Sequence, residues 1–98
     1  MKVLAIGDIV GDIGLKKLQE MLPKIIKEEN IDFTIVNAEN TSSGMGLTLK
    51  DFNSLSKLKI DVITMGNHTW GKKDIFTFID NPKIIRPANY SKGVPGKG

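Results

Sequence analysis

The residues able to do chemistry in this chain fall in three short stretches: Gly7-Asp8, Asn37-Ala38-Glu39-Asn40 and Gly66-Asn67-His68. Carboxylates at Asp8 and Glu39, amides at Asn37, Asn40 and Asn67, and the imidazole of His68 form a mixed oxygen and nitrogen donor set. Such a set suits manganese, iron, magnesium or zinc more than a soft metal. Each residue also has a bland reading. Asp8 can cap a turn, and asparagines tolerate the left-handed backbone of tight loops. Glu39 is harder to explain that way, because glutamate is a poor turn former and a loop has no need of one. His68 is the only histidine; its place directly after an apolar run favours a ligand or acid–base role over a hydrogen-bonded structural one. Trp70 reads as a pocket wall or core residue before a stacking platform.

Each stretch follows a segment that reads as a strand. Val3 to Ile6 is a short apolar run of the kind found in strands buried on both faces of a parallel sheet. After a loop over 8–14, Leu15, Leu18, Met21, Leu22, Ile25 and Ile26 recur at helical spacing, with Pro23 predicting a kink or an early break. Phe33 to Val36 is a second strand. Thr48 with Asp51 three residues later marks a helix start, leading into Leu49, Phe52, Leu55 and Leu58. Val62 to Met65 is a third strand, 72–79 a short helix carrying Ile75, Phe76, Phe78 and Ile79, and Ile84-Ile85 the start of a fourth strand. Strands alternating with helices predict an α/β fold of parallel-sheet βαβ units in three layers. In such sheets the functional crevice lies beyond the carboxyl ends of the strands, so Asp8, Glu39, Asn40, Asn67 and His68 can converge on one pocket.

Ninety-eight residues with 40% hydrophobic content support one domain over residues 1–98 and not two. A charged fraction of 26% with 10 glycines and 4 prolines excludes disorder as the main state. The absence of cysteine excludes a disulfide scaffold, a zinc finger, an iron–sulfur cluster and a thiol nucleophile. The net charge of +3 comes from scattered lysines and one arginine, Arg86, which read as solvated faces and not as a nucleic-acid footprint. The first residues are too short an apolar run for a signal peptide or membrane span, so a cytoplasmic location without a membrane partner is expected. The Asn-X-Ser/Thr triplets at Asn40, Asn67 and Asn89 carry little weight accordingly.

Two glycine patterns approach phosphate-binding motifs. Gly7, Gly11 and Gly14 miss the dinucleotide fingerprint because position 9 is Ile. Gly66 to Lys73 mimics a P-loop between a strand and a helix, but ends in Lys73 where a hydroxyl is required and carries bulky His68 and Trp70. A non-catalytic nucleotide- or phosphate-binding α/β module built on the Gly66–Lys73 turn is the alternative function it leaves open.

Gly7-Asp8-Ile9-Val10-Gly11, Asn37-Ala38-Glu39-Asn40, Thr64-Met65-Gly66-Asn67-His68-Thr69-Trp70 and Arg86-Pro87-Ala88-Asn89-Tyr90 together resemble the YmdB-type, calcineurin-like metallophosphoesterases. The resemblance runs over the whole chain. It implies a binuclear site, with iron or manganese (magnesium or zinc as alternatives), that hydrolyses phosphodiesters such as 2′,3′-cyclic nucleotides, with RNA also in range. It places Asp8 and Asn40 on one metal, Glu39 on or between both, Asn67 on the second, and His68 as the acid that protonates the leaving oxygen. Members of the family are longer, and their later part brings further histidine ligands. The chain therefore resembles the amino-terminal half of a metallophosphoesterase α/β sandwich, with too few donors for turnover by itself. Its last strand is expected to be an open edge, which favours a homo-oligomer.

Overall fold

The computed structural model describes all 98 residues. The elements run β1 (Val3–Ile6), α1 (Gly11–Glu29), β2 (Phe33–Asn37), α2 (Leu49–Ser56), β3 (Val62–Thr64), a 3₁₀ turn (Lys73–Thr77) and β4 (Ile84–Ile85). All strands pair in parallel in the order β1-β2-β3-β4, with Val3 opposite Phe33, Ile35 opposite Val62 and Ile63 opposite Ile84. The parallel α/β fold is as the sequence predicts. No helix is long and apolar enough to cross a membrane.

The layering differs from the expectation. Right-handed crossovers that always step to the next strand in the same direction put every helix on one side of the sheet. The fold has two layers, not three. Leu4, Ile6, Thr34, Val36, Ile63 and Ile84 face the helices and pack with Leu15, Leu18, Leu22, Phe52, Leu55, Ile75 and Phe78 in one core. The opposite face presents Val3, Ala5, Phe33, Ile35, Val62 and Ile85, none of them buried, and Val3 is 51% exposed. β1 is thus buried on one face, because continuous apolarity within four residues does not say how many layers cover it. Both β1 and β4 are sheet edges, so the open last strand is accompanied by an open first one.

Helix α1 begins at Gly11, four residues before Leu15, where the apolar periodicity starts, and runs unbroken past Pro23. It ends at Asn30, whose amide closes the last turn on the Ile26 carbonyl and whose left-handed backbone (φ 52°) brings the Ile31 amide onto the same oxygen at 3.1 Å. Thr48 caps α2 as predicted, its hydroxyl accepting from the Asp51 amide at 3.2 Å. The segment expected as a helix over 72–79 is tighter and shorter. Within it Ile75 is buried while its neighbour Phe76 is 57% exposed.

A buried polar knot fixes the long connection from β2 to α2. Ser42 donates to Asp51 at 2.6 Å, accepts from the Thr48 amide at 2.8 Å and lies 3.1 Å from the Thr48 hydroxyl. Ser42→Ala removes the donor to a buried carboxylate, and a loss of about 1–3 kcal/mol is expected. Urea denaturation should show it as a lowered midpoint, with Asn53→Ala on the exposed side of α2 as a near-neutral control.

Candidate active site

The carboxyl ends of β1, β2 and β3 are stitched together by the main chain. Ile9 donates to the Asn37 carbonyl at 3.2 Å, Gly11 to the Asn40 carbonyl at 3.1 Å, and Ala38 to the Thr64 carbonyl at 3.0 Å. Asp8 takes a left-handed backbone (φ 48°), uncommon for a residue with a Cβ but most accessible to Asp and Asn. This turn breaks the line of β1 and starts the chain toward α1.

On this frame the predicted residues converge. The Asn40 amide nitrogen donates to Asp8 Oδ1 at 2.6 Å, and the Asn40 Oδ1 lies 2.5 Å from His68 Nδ1. With its NH₂ committed to Asp8, Asn40 offers its oxygen to the ring, so His68 carries its proton on Nδ1 and leaves Nε2 as the free nitrogen. Glu39 is held from two sides. It accepts from Asn37 Nδ2 at 3.2 Å through Oε1 and from the His68 amide at 3.1 Å through Oε2. Its carboxylate lies directly on the Cα of Gly66, where any Cβ would overlap it. Close approach, not turn geometry, requires glycine at this position. Asp8, Asn40 and His68 thus form one hydrogen-bonded chain, and Glu39 joins it through the His68 main chain. Asn67 lies in the same turn with an exposed side chain.

Several contributors are not evident from residue type. Thr64 takes a 3.3 Å bond from Asn37, orienting the amide that holds Glu39. Thr69, fully buried, donates its hydroxyl to the Gly66 carbonyl, and the Tyr90 hydroxyl reaches the same oxygen at 2.8 Å from the far end of the chain. The sequence could have signalled Thr69 only by being a small polar residue beside His68; Tyr90 has no local signal at all.

Three of the amides that a phosphate cradle in the Gly66–Lys73 turn would use are already taken. The amide of His68 is bonded to Glu39, that of Thr69 to the Gly66 carbonyl and that of Gly71 to the His68 carbonyl, each at 3.0 or 3.1 Å. The element that follows is a five-residue 3₁₀ turn. For a metal, the donors fit in kind: Asp8, Glu39 and Asn40 supply hard oxygens, and the Asn40 oxygen keeps a second lone pair. They do not suffice in number, since no three His, Asp or Glu side chains come together closely enough to hold an ion.

The parallel α/β sheet gathers carboxylates, amides and one imidazole at its strand ends, where open α/β sheets place their functional crevices. The chain belongs to the YmdB-like protein family, whose model matches residues 4–98. It is 50% identical over 99 residues to a 2′,3′-cyclic-nucleotide 2′-phosphodiesterase of Bacillus subtilis, covering 100% of this chain and 38% of that protein. Among solved structures it superposes on a hypothetical protein from Thermus thermophilus (TM-score 0.92, 36% identity) and on a Mycoplasma pneumoniae protein described as a novel phosphatase (TM-score 0.91, 35% identity). All of this chain is covered in both, against 38% and 37% of theirs. The chain therefore spans little more than a third of the length of these relatives.

Gly66→Ala tests the geometry directly. The added methyl should displace the Glu39 carboxylate and free the His68 amide, a bond to a charged acceptor whose loss is equivalent to about a tenfold or greater rise in exchange. Hydrogen exchange by NMR, residue by residue, would read it, with the amide of Val36 in the core as the unchanged reference.

Proposed function

We propose that the chain is the amino-terminal portion of a single metallophosphoesterase domain that hydrolyses phosphodiesters such as 2′,3′-cyclic nucleotides at a binuclear metal site. The observation that carries this reading is the chain of contacts Asp8–Asn40–His68 with Glu39 bound to the His68 amide, which draws three strand ends to one point. The family membership and the name of the Bacillus relative support the hydrolase class and the substrate. In this reading Asp8 and Asn40 would hold one ion and Asn67 the other, with Glu39 as a further ligand. Iron or manganese suits these oxygen-rich donors, with magnesium or zinc as substitutes. Once bound, the ions supply Lewis acidity toward the phosphoryl oxygens and a water made acidic enough to act as nucleophile.

The chain's own residues do the rest. Asn40 fixes the ring of His68 through Nδ1, so that Nε2, once it has taken up a proton to give the imidazolium, is the atom that delivers that proton to the leaving oxygen. Thr69 and Tyr90, both on the Gly66 carbonyl, hold the turn that carries His68. The substrate is a small phosphodiester, with RNA as a larger member of the same chemical class, handled in the cytoplasm.

The bare sheet face belongs to the same proposal. Val3, Phe33, Ile35, Val62 and Ile85 form an apolar surface that ends at Asn37 and Thr64, beside the site. A second layer laid on it by the remainder of a full-length polypeptide would bury that surface and add the ligands the site lacks. Ile35→Lys should then destabilise the full-length protein by several kcal/mol, as expected for an unpaired buried charge (about 3–5 kcal/mol), while costing the 98-residue chain, where Ile35 is half-buried and a lysine end can reach water, only about 1 kcal/mol. Comparison of denaturation midpoints checks both.

Activity gives the direct test. In the full-length protein with manganese and 2′,3′-cyclic AMP, whose leaving ribose oxygen needs a proton, His68→Ala should lower turnover by about 10²–10⁴-fold. Unchanged turnover would remove the acid assignment. The 98 residues alone should bind manganese weakly and turn over little; tight binding of two ions by the monomeric chain would contradict the proposed need for further ligands.

A further inference from the structure

Beside the His68 turn the chain builds an aromatic ladder whose outer pair, Trp70 and Phe76, neither the core nor the proposed phosphate chemistry uses. Trp70 stacks on Phe76 with ring centroids 5.4 Å apart and planes 11° from parallel, and on Tyr90 at 6.3 Å and 30°. Arg86 closes the Tyr90 end, its guanidinium 6.0 Å from the ring centroid. That guanidinium is otherwise spent on main-chain carbonyls, with Nε on Pro95 at 2.8 Å, Nη1 on Pro87 at 3.0 Å and Nη2 on Gly96 at 3.1 Å. One end of the ladder is therefore sealed and the other open: Phe76 is 57% exposed and Trp70 36%. The core takes Ile75, Phe78 and Ile79 from the same segment and leaves Phe76 outside.

The ladder is also joined rigidly to the site. Tyr90 stacks on Trp70 while its hydroxyl holds the Gly66 carbonyl, and Trp70 follows His68 by two residues in the same turn. A flat ring stacked on the open side of the ladder would be held at a fixed place relative to the atom assigned to protonate the leaving group. Of the groups a phosphodiester can carry, a nucleobase matches best: it is planar, apolar on both faces and stacks on aromatic side chains whatever its identity.

We propose that the Trp70–Phe76 pair is the nucleobase platform of this site and selects phosphodiesters that bear a base over those that do not. This rests on the phosphoesterase reading for its substrate class, but not for its readout.

Trp70 is the only tryptophan, so its emission reports on the platform directly. The chain is titrated with adenosine 3′-monophosphate, adenosine and ribose 5-phosphate, with excitation at a wavelength where adenine does not absorb. Both adenine compounds should quench saturably and ribose 5-phosphate should not. Phe76→Leu keeps an apolar side chain but removes the ring, and should weaken both adenine compounds by about 5- to 100-fold. Phe76→Tyr should retain the affinity, and unchanged circular dichroism shows that both variants fold. Adenosine binding as tightly as its 3′-monophosphate would support the platform while counting against the phosphate site. No quenching by either adenine compound, or undiminished quenching in Phe76→Leu, would overturn the platform even if the full-length enzyme hydrolyses bis-p-nitrophenyl phosphate.

Discussion

The parallel pairing of four strands in sequential order is the constraint from which the rest follows. It sends every strand in one direction, so the three loops that carry Asp8, Glu39-Asn40 and Asn67-His68 emerge on the same edge of the sheet. It also sends every crossover to one side, which leaves an apolar face without a helical layer. A site at one end and a bare face are two consequences of one topology.

Within the site, Asn40 is the joint. Its amide spans a carboxylate on one side and an imidazole on the other, and a side chain with both a donor and an acceptor is needed to do this. An aspartate there would place two negative charges together, and a leucine would leave Asp8 and His68 without partners. Glu39 has the complementary role. It is pinned by Asn37 and by the His68 main chain, and it lies where only glycine at position 66 leaves room. These short-range contacts give the cluster its shape.

The local elements were legible in the sequence because their causes are local. Apolar runs of four or five residues located the strands, and the Thr48–Asp51 spacing located the start of α2. The convergence of Asp8, Glu39, Asn40 and His68 followed from the rule that parallel strand ends share one edge. Less was legible where the cause is distant. The number of layers depends on strand order, which no local pattern encodes. Phe76 turned outward while its neighbour Ile75 turned in, a choice that the apolarity of both does not encode. The role of Tyr90 depends on a contact across 24 residues of chain.

The central claim is that these three loop tips share a cation. Manganese is paramagnetic and broadens the NMR signals of nuclei near it, so a titration of the 98-residue chain, in which weak binding suffices, tests this most directly. The account predicts that broadening starts together at Asp8, Glu39, Asn40, Asn67 and His68 and disappears in Glu39→Gln. Broadening spread instead over the surface carboxylates of α1, such as Glu20, Glu28 and Glu29, and indifferent to Glu39→Gln, would contradict it.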